Sequence, residues 1–489
     1  MSSFKRTYTD TCPIAAQASQ GAIAVIRTSG QGVIELLARV FSRPQALLNA
    51  QGNTIVYGWI NDSAGSPVDE VLVSVYRAPR SYTGEDAADI SCHGGSAAVK
   101  AVLETLRKAG FADALPGEFT FRSFMNGKID LTQSESVMEL VSAKTKQGLD
   151  HAVKRLSGIL GKEINEIRDK LLEAVSAAEL FLDYPEDEIE EELEHLPHRT
   201  TILDTVKKLK ALAASYRREK LYQEGALAVI VGRPNAGKSS LFNALLNEDR
   251  SIVTGTPGTT RDWIESSAIV EGIPLRLADT AGLRTPSAAA KTESSGETES
   301  SSMEDAEILG IQRSRELAEE ADIVLYTIDV CEGLNKEDKI FLSEHFEHSK
   351  QPLILVLNKT DIKQAPVSAF EKPKNGGLFS AVPVSAKTGE GIADLCISIA
   401  ALLTKKTVKE CDMIIDEAIT GLGTQRQKEL TEKTALLLEE ALEMADKKEP
   451  LDLIAPLLRE SLNVIGEITG EVSSADILET MFSRFCLGK

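Results

Sequence analysis

Hydrophobic and polar positions change their rhythm along the chain. Up to about residue 118, short β-rich runs, AIAVIR (22–27), TIVYGWI (54–60) and DEVLVSVYR (69–77), are separated by Gly, Pro, Asn and Ser clusters. SAAVKAVLETLRKAG (96–110) has a helical pattern stopped by Gly110. Residues 1–118 therefore read as a mixed α/β domain. From about residue 129 the period lengthens. In KEINEIRDKLLEAVSAAELFL the apolar positions Ile164, Ile167, Leu171, Val175, Ala178 and Leu182 lie three and four apart, one helix face. Helical texture runs to about residue 222 and resumes near 408, as in LTEKTALLLEEALEMA (430–445). Pro456 and the ITGEVSS segment are expected to interrupt this second block.

Between the helical blocks lies a βα alternation. LAVIV, LRLAD, IVLYTID and LILVLN are compact strand-like runs, each followed by loop and helix texture, which implies a largely parallel sheet. Neither helical block looks complete alone, and insertions succeed where exposed chain ends lie close. The expected fold class is therefore multidomain, α/β plus α. Its parts are an N-terminal mixed α/β domain (1–118), an all-α domain in two pieces (119–222 and 408–489) and a second α/β domain (223–407) inserted between them.

Composition narrows the setting. A chain of 489 residues, 42% hydrophobic and 26% charged, is an ordinary soluble multidomain protein. No apolar run reaches the ~18 residues that suggest a membrane span, and MSSFKRTYTDTC has no signal-like apolar stretch. Cysteines 12, 92, 331, 396, 411 and 486 form no CxxC pair. The expectation is a cytoplasmic protein with no membrane partner. The net charge of −20 argues against a large nonspecific nucleic-acid surface, so any RNA would be held locally or through a second protein. The run PEDEIEEELEH (185–195) reads as a solvated acidic helix start. Cys92-His93 has no further Cys or His at ligand spacing and suggests no metal.

The chemistry concentrates in the βα segment. Gly232–Ser239, GRPNAGKS, matches the phosphate-binding loop and follows the strand LAVIV. Asn235, Ala236, Gly237, Lys238, Ser239 and Ser240 would wrap the phosphates, with Lys238 neutralising β/γ oxygens and Ser239 on Mg²⁺. The loop Thr254, Gly255, Thr256, Pro257, Gly258, Thr259, Thr260 would add Thr260 as the second Mg²⁺ hydroxyl. Asp279, Thr280, Ala281 and Gly282 would watch the metal and the γ-phosphate. Asn358, Lys359 and Asp361 of NKTD, with Ser385, Ala386 and Lys387, would read guanine, since the carboxylate of Asp361 can accept from N1–H and the exocyclic amine. Four such motifs in order on one α/β segment indicate a guanine-nucleotide domain, so the inserted segment 223–407 is expected to be a Ras-like P-loop GTPase domain.

One position breaks the Ras pattern. Leu283 stands where a water-orienting glutamine is expected, and a Ser-rich tract follows from about 286 to 303. Transition-state charge still needs a cation. Asn235 and the carbonyls of 254–260 could hold a monovalent ion, but the residues alone favour the plainer reading, in which Asn235 braces the loop.

Four further motifs lie outside the nucleotide domain: AIAVIRTSG (22–30), SYTGEDAADISCHGG (81–95), PGEFTFRSFMNGKIDLTQSE (116–135) and the terminal FCLGK. With the domain order, they make nearly the whole chain resemble the MnmE (TrmE) family of tRNA-modification GTPases. The resemblance implies a K⁺-stimulated GTPase whose G domains dimerise, and a homodimer through N-terminal domains that bind a tetrahydrofolate (5-formyl or methylene form). It also implies an FAD-dependent partner, MnmG (GidA), with which the family adds carboxymethylaminomethyl or aminomethyl groups to wobble uridine of tRNA.

Carried over residue by residue, the resemblance puts K⁺ at Asn235, Thr254, Thr256 and Thr259. It puts the water-positioning acid at Glu307, ahead of ILGIQRS, with Glu304 nearby. Arg27, Glu85, Lys128 and Lys489 map onto the folate pocket, and Cys486 becomes a functional thiol near the modification chemistry. The chain departs from the family in the lengthened Ser-rich tract, in Thr28 where the family usually has isoleucine, in the less Pro/Gly-rich SQG before AIAVIRTSG, and in a tail that reads CLGK rather than CIGK. An alternative reading is a ribosome-assembly-type GTPase switch without its own modification chemistry, which would leave TGED, PGEF and FCLGK unused.

Overall fold

The computed structural model describes residues 13–16, 21–183, 196–247, 265–279, 319–348, 351–364, 378–409, 420–472, 475–483, 485 and 488. The chain forms two compact units. One gathers residues 1–141, 152–210 and 423–489, and the other residues 142–151 and 211–422. The second unit thus lies within the sequence of the first.

In the first unit, β1 (Pro13–Ala16), β2 (Ile23–Ser29), β3 (Thr54–Asn61), β4 (Pro67–Tyr76), β5 (Ala87–His93) and β6 (Ala112–Asp113) form a sheet in the order β3-β4-β5-β2-β1-β6. All its pairings are antiparallel except β1–β6. Strand alternation sends Val71, Val73 and Val75 to one face, where they meet Val33, Ile34, Leu37, Val102 and Leu106 of the covering helices. The helix Ser96–Ala109 ends at Gly110, whose φ of 115° closes it in the left-handed region, as the sequence pattern expects.

The other face carries Ile23, Val25, Ile55, Tyr57, Trp59 and Leu72, all exposed. The register aligns Tyr57 with Leu72, Leu72 with Ser91 and Ser91 with Val25, one row across four strands.

Helices of the same unit include Glu118–Met125, Leu131–Ser142, Ile159–Asp183, Gln425–Asp446, Leu451–Thr469 and Ala475–Phe482. Ile164, Ile167, Leu171, Val175 and Ala178 are buried as their spacing predicts, but Leu182 is exposed in the last turn of its helix. Thr424 caps the helix Gln425–Asp446, accepting from Gln427 N–H, while Gln427 Oε1 accepts from Gly423 N–H at 2.9 Å.

Pro456 does not interrupt the helical block. It sits inside Leu451–Thr469, in the second turn, where it removes one backbone bond without ending the helix. The break comes at Gly470, φ 89°, within ITGEVSS. The helix Ala475–Phe482 then packs on Leu131, Val137, Phe121 and Phe124, with the Phe121 and Phe482 rings edge-on at 5.2 Å.

In the second unit, β7 (Ala226–Gly232), β8 (Glu265–Val270), β9 (Ile273–Asp279), β10 (Ile323–Asp329), β11 (Leu353–Asn358) and β12 (Phe379–Pro383) lie in the order β12-β11-β10-β7-β9-β8. Only β8–β9 is antiparallel. Every residue of β10 and β11 is buried, as expected of central parallel strands covered on both faces. One layer is sealed by Leu241, Phe242 and Leu245, with Ile392, Leu395 and Ile399. Among the described residues, no helix is long and apolar enough to cross a membrane.

Candidate nucleotide site and N-terminal cavity

The phosphate loop is the turn between β7 and the helix Lys238–Asn247. Its conformation has positive φ at Gly232 (147°), Asn235 (62°) and Gly237 (92°), the backbone that a phosphate-binding loop at a helix N-terminus uses. Lys238 Nζ donates to the carbonyls of Gly232 and Arg233, both at 2.9 Å, so the ammonium lies across the loop it belongs to. Ser239, Ser240 and Asn235 are exposed at the same turn.

The base-reading motifs meet this loop through one side chain. Asn358, at the end of β11 and almost fully buried, donates from Nδ2 to Ala236 O at 2.9 Å. Its Oδ1 accepts from Ala386 N–H at 3.0 Å and from Lys359 N–H at 2.8 Å. Ser385 Oγ donates to Asp361 Oδ1 at 2.7 Å, holding the exposed carboxylate that would face guanine. Phosphate loop, NKTD and SAK are thereby one hydrogen-bonded assembly. Lys359, at φ 70°, reaches back to Asp329 Oδ2 at 2.7 Å. Burial pushes the Asp329 carboxyl up, but the Lys359 bond and the Cys331 amide outweigh it and hold the group below its ordinary value.

In the first unit, a cavity of about 290 Å³ opens beside the sheet, lined by Arg27, Tyr82, Arg80, Asn53, Asp89 and Phe119 among others. Arg27 Nε donates to Asp89 Oδ1 at 3.2 Å, and its guanidinium lies 5.4 Å from the Tyr82 ring centroid. Burial is the main cause that pushes the Tyr82 hydroxyl up. Glu85 is held by Arg122 Nη1 at 3.1 and 3.2 Å and by Ser29 Oγ at 2.9 Å. Arg122 in turn binds the buried Glu118 at 2.8 Å. Lys128 Nζ donates to Pro79 O at 3.0 Å, so it lies against the same 79–85 loop. Phe485 packs on Phe482, whose ring also meets Phe121 and Phe124 of the helix bearing Phe119.

Comparison with known proteins decides the affiliation. Residues 131–486 match the family described as "MnmE helical domain", and residues 11–128 match "GTP-binding protein TrmE N-terminus". The tRNA modification GTPase MnmE of Treponema denticola is 40% identical over 98% of both chains. That of Borreliella burgdorferi (strain ZS7) is 39% identical over the full length of both, and that of Carboxydothermus hydrogenoformans 40% identical over 96% of this chain and 97% of its own. The chain belongs to the MnmE family of tRNA modification GTPases.

The remaining site expectations divide by position. Thr254, Gly255, Thr256, Pro257, Gly258, Thr259, Thr260, Thr280, Ala281, Gly282, Glu304, Glu307, Cys486 and Lys489 lie outside the described residues. Asp279 ends β9, paired with Ile230 of β7, which sets its backbone next to the phosphate-loop strand. Lys387 is exposed beside Ala386. Cys92 is buried, and burial with the Asp69 charge pushes its thiol up to about 11. Its neighbour His93 binds Asp69 Oδ1 at 2.6 Å. Among the described residues no group of His, Cys, Asp and Glu gathers at metal-binding spacing.

Sequence reading missed Asp329, Tyr82, Asp89 and Arg122. Their partners are brought to them by tertiary packing, and no local spacing announces it.

Proposed function

We propose that this protein hydrolyses GTP with Mg²⁺ and K⁺ and couples the cycle to modification of C5 of wobble uridine in tRNA, together with an FAD-dependent MnmG/GidA partner. The single observation that carries the nucleotide part is the Asn358 bridge, which binds phosphate loop and base-reading loops into one site. Within it, Lys238 and Ser239 hold the phosphates and Mg²⁺ with Thr260, and Asp361 selects guanine. Asn235, Thr254, Thr256 and Thr259 hold K⁺, whose charge substitutes for an arginine finger. Glu307 positions the attacking water in place of the glutamine that Leu283 does not supply.

The cavity beside Arg27 is the proposed folate site. Its cations Arg27 and Arg80 suit an anionic glutamyl tail. Glu85 does not itself line the cavity; it is bound to the lining residue Ser29 and fixed by Arg122, and is the proposed partner of the donor edge of a pterin. Lys128 borders the same loop, while Lys489 and Cys486 follow Phe485, which is anchored in the same unit. The exposed apolar sheet face supports a homodimer through this domain. The net charge supports tRNA being held jointly with the partner protein. A cytoplasmic location follows from this substrate.

The deciding experiment compares GTP hydrolysis in KCl and NaCl at matched ionic strength and several protein concentrations. A potassium-specific rate that rises with concentration is expected. Equal rates would reduce Asn235 to a loop brace and remove the ion from the mechanism. Mass spectrometry of small molecules released from the purified protein tests the folate assignment independently.

A further inference from the structure

The phosphate loop is held from a second side, by a residue that the nucleotide motif leaves unspecified. Arg233 directly follows Gly232 in GRPNAGKS. Its Nη1 donates to Glu332 Oε2 at 3.0 Å, its Nη2 to Gly333 O at 2.8 Å, and its Nε lies 3.2 Å from Asp338 Oδ2.

Asp338 is no ordinary surface acid. It is fully buried at the start of the helix Lys336–His348. Oδ1 accepts from the buried Tyr326 hydroxyl at 2.8 Å, and Oδ2 from Asn335 N–H at 2.9 Å. Asn335 returns the bond, its Oδ1 accepting from Asp338 N–H at 2.9 Å, a reciprocal helix cap. Tyr326 belongs to β10 and stacks on Phe341 of the same helix at 4.6 Å. A buried carboxylate fixed by a strand and a helix cap thus takes part of its counter-charge from the phosphate loop. A buried charge held so tightly is a rigid anchor, since moving the arginine away would leave it uncompensated.

We infer that Arg233 is a positioning residue for GTP binding: anchored on Asp338, Glu332 and Gly333, it sets the outer limb of the phosphate loop. Asn358 fixes the inner limb at Ala236. Between them the backbone N–H groups are pre-organised for phosphate, and little ordering remains to be done when nucleotide binds. The arrangement also commits the guanidinium to holding the loop, so the cation of the chemical step comes from elsewhere. The inference rests on the guanine-nucleotide reading of this site.

The test uses the full chain and fluorescent mant-GDP, with steady-state GTP hydrolysis beside it. Arg233→Ala combined with Asp338→Asn removes both charges, so no uncompensated buried ion confuses the result. This double variant is expected to raise KM for GTP and the mant-GDP Kd about tenfold while kcat changes less than about threefold, as a loss of binding geometry does. Arg233→Lys keeps the charge beside Asp338, hence the fold, but cannot make all three contacts. It should fall between the two, with KM up about threefold.

Wild-type KM and Kd in Arg233→Lys, or in a folded double variant, would overturn the proposal and leave Arg233 as a counter-ion for Asp338. Failure of the wild-type protein to bind mant-GDP would instead bring down the nucleotide reading itself, and this inference with it.

Discussion

Asn358 and Ala236 are joined by a 2.9 Å hydrogen bond from the carboxamide nitrogen to the backbone carbonyl, far apart in sequence and adjacent in space. The bond means that base recognition and phosphate binding are not separate acts in this protein. Whatever moves the NKTD loop pulls on the phosphate loop. Gly237 records how close the approach is, since a Cβ there would collide with Asn358 Nδ2.

Replacing Asn358 by alanine leaves the buried Ala236 O and the N–H groups of Ala386 and Lys359 without these bonds. Stability of the nucleotide-binding unit should fall by about 1–3 kcal/mol. Nucleotide affinity should fall by more than about tenfold, because both loops lose their fixed geometry. Thermal melting and mant-GDP titration of the same preparation check both. An affinity equal to wild type would mean that the bridge only stabilises the fold.

Why the sequence reveals some of this and hides the rest is a matter of range. The phosphate loop and NKTD are legible because their chemistry is local: glycines where φ must be positive, a lysine and a carboxylate at fixed offsets. The helix face from Ile164 to Ala178 is legible by its period, whereas Leu182 shares the period but falls in the last turn, where none of the described residues buries it. Pro456 misleads because local breaker strength is overridden by packing: the helix runs on through it, burying Ile454, Ala455, Leu458 and Ile465. TIVYGWI is apolar on both faces of β3, so alternation cannot say which face is buried. The pairings Arg233–Asp338 and Arg122–Glu85 join distant segments and leave no local trace.

Asp329 and Lys359 should show a pH signature. The Asp329 carboxyl sits below its ordinary value of 3.8, because the Lys359 bond and the Cys331 amide outweigh burial. A depressed carboxyl pKa contributes stability that is fully present above the unfolded value and is lost as pH falls through the folded one. The gap in melting temperature between wild type and Lys359→Met should therefore be constant from pH 7 to pH 5 and narrow only below the ordinary aspartate range. A gap that already closes between pH 7 and pH 5 would assign the effect to another group.

Arg122 holds two carboxylates, Glu118 and Glu85, and Glu118 is wholly buried. Arg122→Met leaves Glu118 without its counter-charge, which should cost about 3–5 kcal/mol. Adding Glu118→Gln removes the stranded ion and should recover a large part of that loss. The recovered protein would still lack the arginine that orients Glu85, so the proposed folate binding, measured by isothermal titration of wild type and variant with 5-formyltetrahydrofolate, should be weaker than in wild type. Full recovery of binding in the double variant would show that Ser29 alone positions Glu85.

The exposed face of the N-terminal sheet makes the sharpest prediction about assembly. Tyr57, Leu72 and Val25 lie in one register row, flanked by Ile55, Trp59 and Ile23. Monomeric proteins seldom leave so many large apolar side chains contiguous in water. Leu72 points away from the core that Val71 and Val73 build, so Leu72→Lys alters the face without touching the packing beneath. If the proposed homodimer forms through this face, wild type should sediment as a dimer and the variant as a monomer that melts within a few degrees of it. A second change, Val25→Glu, places the opposite sign on the same row and should give the same monomer. If both variants remain dimeric, the apolar face is not what joins the two copies, and the pairing must be sought on another surface.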